Sequence, residues 1–189
     1  PLRKGHRVLI QAAAGGVGCL LTQFAKRFGA TVYGTVSTPE KADLIKKMGA
    51  HEAIIYRDTD FVEAISALTD GQGVHVVYDS VGKDTIQGSI RCLAKRGMLV
   101  LYGHTSGPVT AINPMELADA GSLFFTRPHL AHHIASQQEL YERSQDIFSW
   151  YLQGELSLNI DKVYPLSEVA EAHRRLEDRS SAGKILLIP

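Results

Sequence analysis

The chain has 189 residues, 44% hydrophobic and 21% charged, and its 20 Lys and Arg cancel its 20 Asp and Glu. That size suits one large domain, or one and a half, of ordinary globular composition, and the neutral balance gives no electrostatic support to a nucleic-acid or membrane-surface role. No apolar run approaches the roughly 18 residues of a transmembrane helix, the opening PLRKGHRVLI has no signal-peptide core or cleavage site, and Cys19 and Cys92, without C-x-x-C spacing, read as small buried hydrophobes of a reducing compartment, most simply the cytoplasm.

Strands and helices are expected to alternate. Residues 8–12 are a short apolar run between turn signals, a buried strand. Val17, Leu20, Leu21, Phe24, Ala25 and Phe28 recur with helical spacing until Gly29 ends the pattern. Residues 31–36, rich in β-branched side chains, form the second strand. Pro39 opens a helix that Gly49 closes, with Leu44, Ile45 and Met48 inward. Residues 53–56 are a short third strand, and Asp60 caps a helix ending near TDGQG. A fourth strand at 74–79, a helix over 84–93 stopped by KRG, and a fifth strand at 98–103 follow. A short helix from Pro114 leads to a sixth strand at 122–126. Beyond Pro128 the pattern changes to a long helix over 137–153, a strand at Val163 and Tyr164, a helix from Ser167 and a last strand at 184–188.

Strands joined by helices imply parallel pairing and right-handed crossovers. The expected fold is α/β, a doubly wound six-stranded sheet in the order 3-2-1-4-5-6, with a C-terminal helical and strand segment. The expected division is 1–130 for the dinucleotide-binding domain and 131–189 for the C-terminal segment. Ligands in such sheets sit at the carboxyl ends of the strands, at the switch between strands one and four.

The stretch AAAGGVG follows the first strand and opens a helix. Aligned to G-x-G-x-x-G, it places Ala13, Gly15 and Gly18 at the three positions, with alanine for the first glycine. Gly15 permits close approach of a pyrophosphate, Gly18 permits the helix to pack on the strand, and the N–H groups of Gly16 and Val17 are free for phosphate oxygens.

The end of the second strand reads Val36-Ser37-Thr38-Pro39-Glu40-Lys41. An acid at position 37 would accept from both ribose hydroxyls and repel a 2′-phosphate. Ser37 does neither; its hydroxyl and that of Thr38 can donate to phosphate, and Lys41 can swing to the same place. These residues point to NADPH. The alternatives are that Glu40 replaces the missing acid for NADH, or that Lys41 is a plain solvated lysine.

Together with AAAGGVG and GTVST followed by Lys41, the stretches VVYDSVG, LYGHTSG, SLFFTRP and GKILLIP carry a resemblance over the whole chain. The chain resembles the quinone oxidoreductases of the medium-chain dehydrogenase/reductase superfamily, the zeta-crystallin-like group. The resemblance implies NADPH-dependent reduction of quinones and related enones without zinc. It implies pyrophosphate contacts at Gly16 and Val17, a 2′-phosphate loop from Ser37 to Lys41, and Tyr56 closing over that phosphate. It implies an adenosine contact at Val81 and nicotinamide-side contacts at Tyr102, Gly103, His104 and Thr105 and at Pro128, His129 and Leu130. Ser180 would be a late contact from the C-terminal segment. It further implies that the family's GroES-like N-terminal lobe is absent here, that residues 131–189 complete the substrate lobe, and that His104 stands where a small amide is commoner. Relatives in that family dimerise through the sixth strand, whose edge is apolar and open to pairing here, so a homodimer through 123–126 is expected.

No catalytic residue is expected, because a reduced quinone takes its protons from solvent. His129, His132 and His133 in HLAHH invite a metal reading, but the spacing matches no structural zinc pattern and a catalytic site needs three converging ligands. Asp79 and Ser80 have no histidine predictably beside them for a triad. An enoyl-thioester reductase using the same cradle, and an NADPH-responsive module without turnover, remain alternatives to a quinone reductase.

Overall fold

A computed structural model describes residues 2–178 and 180–189; Pro1 and the Arg179 of RSSAGK lie outside the described residues. A six-stranded parallel sheet is built from β1 (Arg7–Ile10), β2 (Thr31–Val36), β3 (Glu52–Ile55), β4 (Val74–Asp79), β5 (Leu93–Leu101) and β6 (Phe124–Thr126), in the order β3-β2-β1-β4-β5-β6. Between them run α1 (Gly16–Arg27), α2 (Pro39–Lys47), α3 (Phe61–Leu68), α4 (Ile86–Arg91) and α5 (Pro114–Asp119). The expected doubly wound fold is what forms. The chain continues through α6 (Leu130–His133), α7 (Gln137–Leu152), β7 (Ile160–Pro165), a 3-10 turn at Leu166–Glu168, α8 (Val169–Glu177) and β8 (Lys184–Ile188), with β7 and β8 paired in parallel.

Alternation along the central strands splits the core into two layers. Leu9, Val77 and Leu99 face one side with Ile54, Ile65 and Ile90. Val8, Ile10, Val32 and Val76 face the other with Ile45 and Ala25. In α1 the buried positions are Gly18, Cys19, Thr22, Gln23 and Ala25, small side chains for the most part, so the helix lies close on the sheet. Phe24 and Phe28 face outward instead, meeting the Trp150 edge at 5.6 and 6.4 Å, while the Arg27 guanidinium lies over the same ring and pairs with Glu155. That contact seats the end of α7 against α1. Gln23 adds to it, accepting from the Ser157 N–H at 2.8 Å and donating to the Ser157 carbonyl at 3.0 Å.

Several boundaries differ from expectation, three of them for a reason visible in the backbone. β1 ends at Ile10, because Ala12 turns into the left-handed region at φ 52°. The KRG expected to stop a helix lies inside β5: the β4–β5 register jumps from Val74↔Leu93 to Val76↔Met98, and the intervening bulge puts Arg96 at φ 59°. β6 starts at Phe124, since Ser122 sits at φ 56° and cannot extend the strand. A capping box, Ser136 with Glu139, starts α7.

Candidate functional site

The carboxyl ends of β1, β2, β4 and β5 lie side by side, and the expected residues come together there. The glycine turn is the first wall. Gly15 caps α1 in extended backbone without a side-chain cap, and its N–H reaches the Ala12 carbonyl at 3.0 Å. Cys19 N–H closes the first helical bond to the Gly15 carbonyl at 2.9 Å. Among the described residues no acceptor takes the N–H groups of Val17 and Gly18, the Gly16 N–H turns toward the Gly183 carbonyl in the parallel bridge of Gly15 with Gly183, and no acid occupies the first turn of α1. Such a row of outward N–H groups with the positive helix end behind it suits an anion. A Cβ on Gly18 would stand 2.5 Å from the Ala12 carbonyl oxygen and 2.7 Å from that of Ala13, which fixes glycine there. Val17 is about half exposed, at the lip of the turn.

Below the turn runs a buried polar chain. The Ala12 N–H donates to Thr35 Oγ1 at 3.1 Å, Thr35 Oγ1 to Gln11 Oε1 at 2.7 Å, and Gln11 Nε2 to Ser89 Oγ at 3.2 Å. Ser89 Oγ donates to Asp79 Oδ2 at 2.7 Å. Asp79, fully buried, also accepts from the N–H groups of Val81 and Gly82 at 2.8 and 3.0 Å and from the Thr85 hydroxyl. The chain ties the loops after β1 and β4 to one framework. It also commits Asp79 to these donors, so the Asp79–Ser80 pair forms no catalytic triad.

At the end of β2, Ser37 is buried and Thr38 caps α2 by accepting the Lys41 N–H at 3.4 Å. Tyr56, after β3, is anchored beside it through its N–H to the Val36 carbonyl at 3.1 Å, with its ring exposed. Partial burial lowers the Lys41 pKa, and Asp161, Arg57, Arg175 and Asp178 lie near enough to act on its charge. Glu40 is exposed, and the Thr38 hydroxyl holds its carboxyl below the ordinary range. The end of β2 therefore carries three basic side chains, two of which, Arg57 and Arg175, sequence reading passed over. Arg57 follows Tyr56 directly and was legible as a strand-end cation. Arg175 arrives from α8, which no local spacing reveals.

The loops after β4 and β5 interlock. Tyr102 N–H bonds the Asp79 carbonyl at 2.8 Å, Thr105 N–H that of Ser80 at 3.1 Å, and Ser106 N–H that of Val81 at 2.8 Å. A Cβ on Gly103 would stand 2.6 Å from the Ser80 carbonyl oxygen. Val81 and Tyr102 are half-buried, and His104 and Thr105 are exposed. Burial raises the Tyr102 pKa, against a hydrogen bond with Ser80. His104, Ile112, Phe125 and Arg127 line a hollow beside this loop. Pro128 follows β6, with His129 and Leu130 exposed at the start of α6.

The C-terminal segment closes on the turn from the other side. Gly183 N–H donates to the Ala14 carbonyl at 2.9 Å, and Gly183 pairs with Gly15 as an isolated parallel bridge. Asp161 accepts Arg175 Nε at 2.6 Å and the Ala182 N–H at 3.0 Å. Burial pulls Asp161 upward, but Arg175 and the Ala182 N–H outweigh it and hold the carboxyl below its usual value. Ser180 is exposed, its N–H on Asp178 at 2.8 Å and its hydroxyl on the Arg175 carbonyl at 3.4 Å. That places it on the segment whose charges reach Lys41.

His129 and His132 stand with ring centres 5.4 Å apart. Among the described residues no three His, Cys, Asp or Glu side chains converge as a metal site. No described helix is long and apolar enough to cross a membrane.

The chain matches known proteins over its whole length. It is 46% identical to 2-haloacrylate reductase of Burkholderia sp, covering 100% of this chain and 57% of that protein. It is 43% identical to quinone oxidoreductase 1 of Escherichia coli (strain K12), covering 100% of this chain and 58% of that protein. A crystal structure of Escherichia coli quinone oxidoreductase complexed with NADPH superposes with a TM-score of 0.94 at 43% identity, covering 100% of this chain and 58% of that one. The chain thus spans rather more than half the length of these relatives. The family described as zinc-binding dehydrogenase matches residues 16–149. With its glycine turn, its interlocked strand-end loops and these matches, the chain belongs to the zinc-binding dehydrogenase family, as a cofactor-binding domain of the medium-chain dehydrogenase/reductase superfamily.

Proposed function

We propose that the chain is the cofactor-binding domain of an NADPH-dependent quinone oxidoreductase. The observation that supports this is a pair of groups suited to phosphate, one at the start of α1 and one at the end of β2, as a cofactor with a pyrophosphate and a 2′-phosphate would need. The open N–H groups of Val17 and Gly18 suit the pyrophosphate, with Gly16 beside them and Gly15 allowing close approach. Ser37, Thr38 and Lys41, with Arg57 and Arg175 near enough to act on the Lys41 charge, suit the 2′-phosphate, and no acid takes the place of Ser37. These residues fit the cofactor, and the NADPH held by the Escherichia coli structure supports the reading.

Bound NADPH supplies the hydride; the protein supplies orientation and electrostatics. Tyr56 shields the 2′-phosphate and Ser180 approaches from the C-terminal side. Val81 lines the adenosine, and Tyr102, Gly103, His104 and Thr105, with Pro128, His129 and Leu130, hold the nicotinamide side. The buried chain from Thr35 to Asp79 keeps these loops in register. No side chain is assigned as a catalytic residue. The acceptor is a quinone or a related activated alkene, which the likeness to a 2-haloacrylate reductase supports.

Residues 1–130 form the dinucleotide-binding domain, and 131–189 complete a substrate lobe. The apolar side chains that α7 leaves exposed, Leu140, Phe148 and Tyr151 among them, suit that role. Two chains pair through β6, whose outer edge has no partner among the described residues and whose Phe124 is 57% exposed. Both cysteines are buried and unpaired, in keeping with the reducing cytoplasm.

Calorimetric titration with NADPH, followed by a spectrophotometric assay of NADPH oxidation with a quinone, tests the reading. The 189-residue chain should bind NADPH yet turn quinone over slowly, because a misplacement of about 1 Å can cost a hundredfold. Absence of NADPH binding would refute the proposed function. Fast turnover would refute the need for a further wall to order the acceptor.

A further inference from the structure

Beside the loop that follows β5, a hollow of about 250 Å³ lies between residues 108–112 and the end of β6. Its floor is apolar. Leu101 is buried, and Val109, Ile112 and Phe125 pack on the core layer that holds Val77 and Leu99. Polar side chains line it from three places: His104 from the loop after β5, Thr110 from the segment before α5, and Arg127 from the residue that follows β6. No carboxylate lines it. Arg127 Nη1 donates to the Pro128 carbonyl at 3.1 Å, a short tether that leaves the rest of the guanidinium fork open. Among the described residues Arg127 makes no ion pair.

Size and charge together select an occupant. The hollow is smaller than the roughly 300–1,000 Å³ of sites for drug-sized ligands, so it suits a small molecule. The floor favours hydrocarbon. A ligand that covers Arg127 takes its donors out of water and must replace what they lose. A neutral carbonyl offers a single oxygen, whereas a carboxylate offers two and a charge, in the geometry of the fork. We propose that this hollow is an acceptor site for small unsaturated carboxylates, with the carboxylate on Arg127 and His104 and the hydrocarbon end on Val109, Ile112 and Phe125. The proposal rests on the reading of His104 as a nicotinamide-side residue, and it narrows the acceptor from activated alkenes in general to those that carry a carboxylate. Arg127 determines the specificity, because it tells a carboxylate from the matching neutral amide. His104, at the strand end assigned to the nicotinamide, keeps the carboxylate on that side of the cofactor.

Crotonate and crotonamide share their size and alkene and differ in charge. Their binding to the 189-residue chain is followed by ligand-observed NMR with NADP+ present, since the oxidised cofactor has no hydride to give. NADPH affinity is measured separately by calorimetry. The wild type should bind crotonate more tightly than crotonamide. Arg127→Met should bind crotonate roughly tenfold more weakly, the scale of one exposed charge-assisted contact, and bind crotonamide and NADPH as the wild type does. Arg127→Lys, which keeps the charge and loses the fork, should fall between. Equal affinity of the wild type for the two ligands, or parallel losses for both in Arg127→Met, overturns the inference, and NADPH binding then leaves the cofactor reading standing. A wild type that binds no NADPH overturns that reading and this inference with it. Thermal melts confirm folding, and if Arg127→Met does not fold, Arg127→Gln takes its place with the same outcomes.

Discussion

Ser89 Oγ donates to Asp79 Oδ2 at 2.7 Å inside the sheet, joining a helix to the strand-four carboxylate that holds the next loop. Asp79 has no solvent exposure, and its partners are Ser89, Thr85 and two backbone N–H groups. Asp79→Ala would orphan these donors, each at roughly 1–3 kcal/mol when buried. The variant should lose at least about 3 kcal/mol in urea unfolding and weaken NADPH binding, because the Val81 loop is released. A loss below about 1 kcal/mol would contradict the role given to this chain of hydrogen bonds.

Gly18→Ala places a methyl group against two carbonyl oxygens of the preceding turn, neither the tip of a flexible side chain. Either α1 moves away from β1 or the turn opens, at a cost of roughly 1–3 kcal/mol. Circular dichroism melts should show the fall in stability, and NADPH titration a loss of affinity larger than for Gly71→Ala, where the strain comes from a backbone φ of 72° and no atom is met.

Ser37→Asp restores the acid that reads a ribose hydroxyl. It sets a carboxylate at the 2′-phosphate position, so NADPH affinity should fall by roughly tenfold or more while NADH is held or gains. Fluorescence titration with both cofactors checks this, and parallel losses would show that Ser37 does not face the adenosine ribose.

His6 and His75 stack with centroids 4.5 Å apart, and His75 Nδ1 accepts the Arg7 N–H at 3.0 Å. Burial lowers both pKa values; nearby Arg3 adds to the effect on His6, and His6 and Arg7 to that on His75. The unfolded chain, with histidines near 6.5, takes up these protons first as pH falls. The stability the neutral pair contributes is complete above about pH 6.5 and is lost as pH drops below it through the lowered folded-state values. Urea midpoints should decline over that acid window, and His75→Gln, which keeps an acceptor, should flatten the decline. A midpoint independent of pH there would contradict the account.

The sheet was legible because strands buried on both faces read as apolar runs, as at Val8-Leu9-Ile10 and Val74 to Val77, and because Gly29 and Gly49 close helices with positive φ. The glycine turn was legible because its job needs small residues next to one another. The bulge at Arg96 was hidden, since a basic pair before glycine reads equally as a helix end. Arg175 was hidden for a different reason. It lies more than 130 residues beyond Lys41, the group it approaches, and only the parallel pairing of β7 with β8 brings it there.

Phe124, more than half exposed on an unpaired strand edge, should lie between two chains. Phe124→Lys places charges across that edge and should shift sedimentation toward monomer at micromolar concentration. A wild type that sediments as a monomer would contradict the pairing.

The most direct measurement is a paired titration of NADPH and NADH on the wild type and Lys41→Ala. The wild type should bind NADPH more tightly. Lys41→Ala should lose roughly 1.5–3 kcal/mol for NADPH and little for NADH. Equal affinity of the wild type for both cofactors, or equal losses in the variant, would contradict the claim that the end of β2 reads a 2′-phosphate.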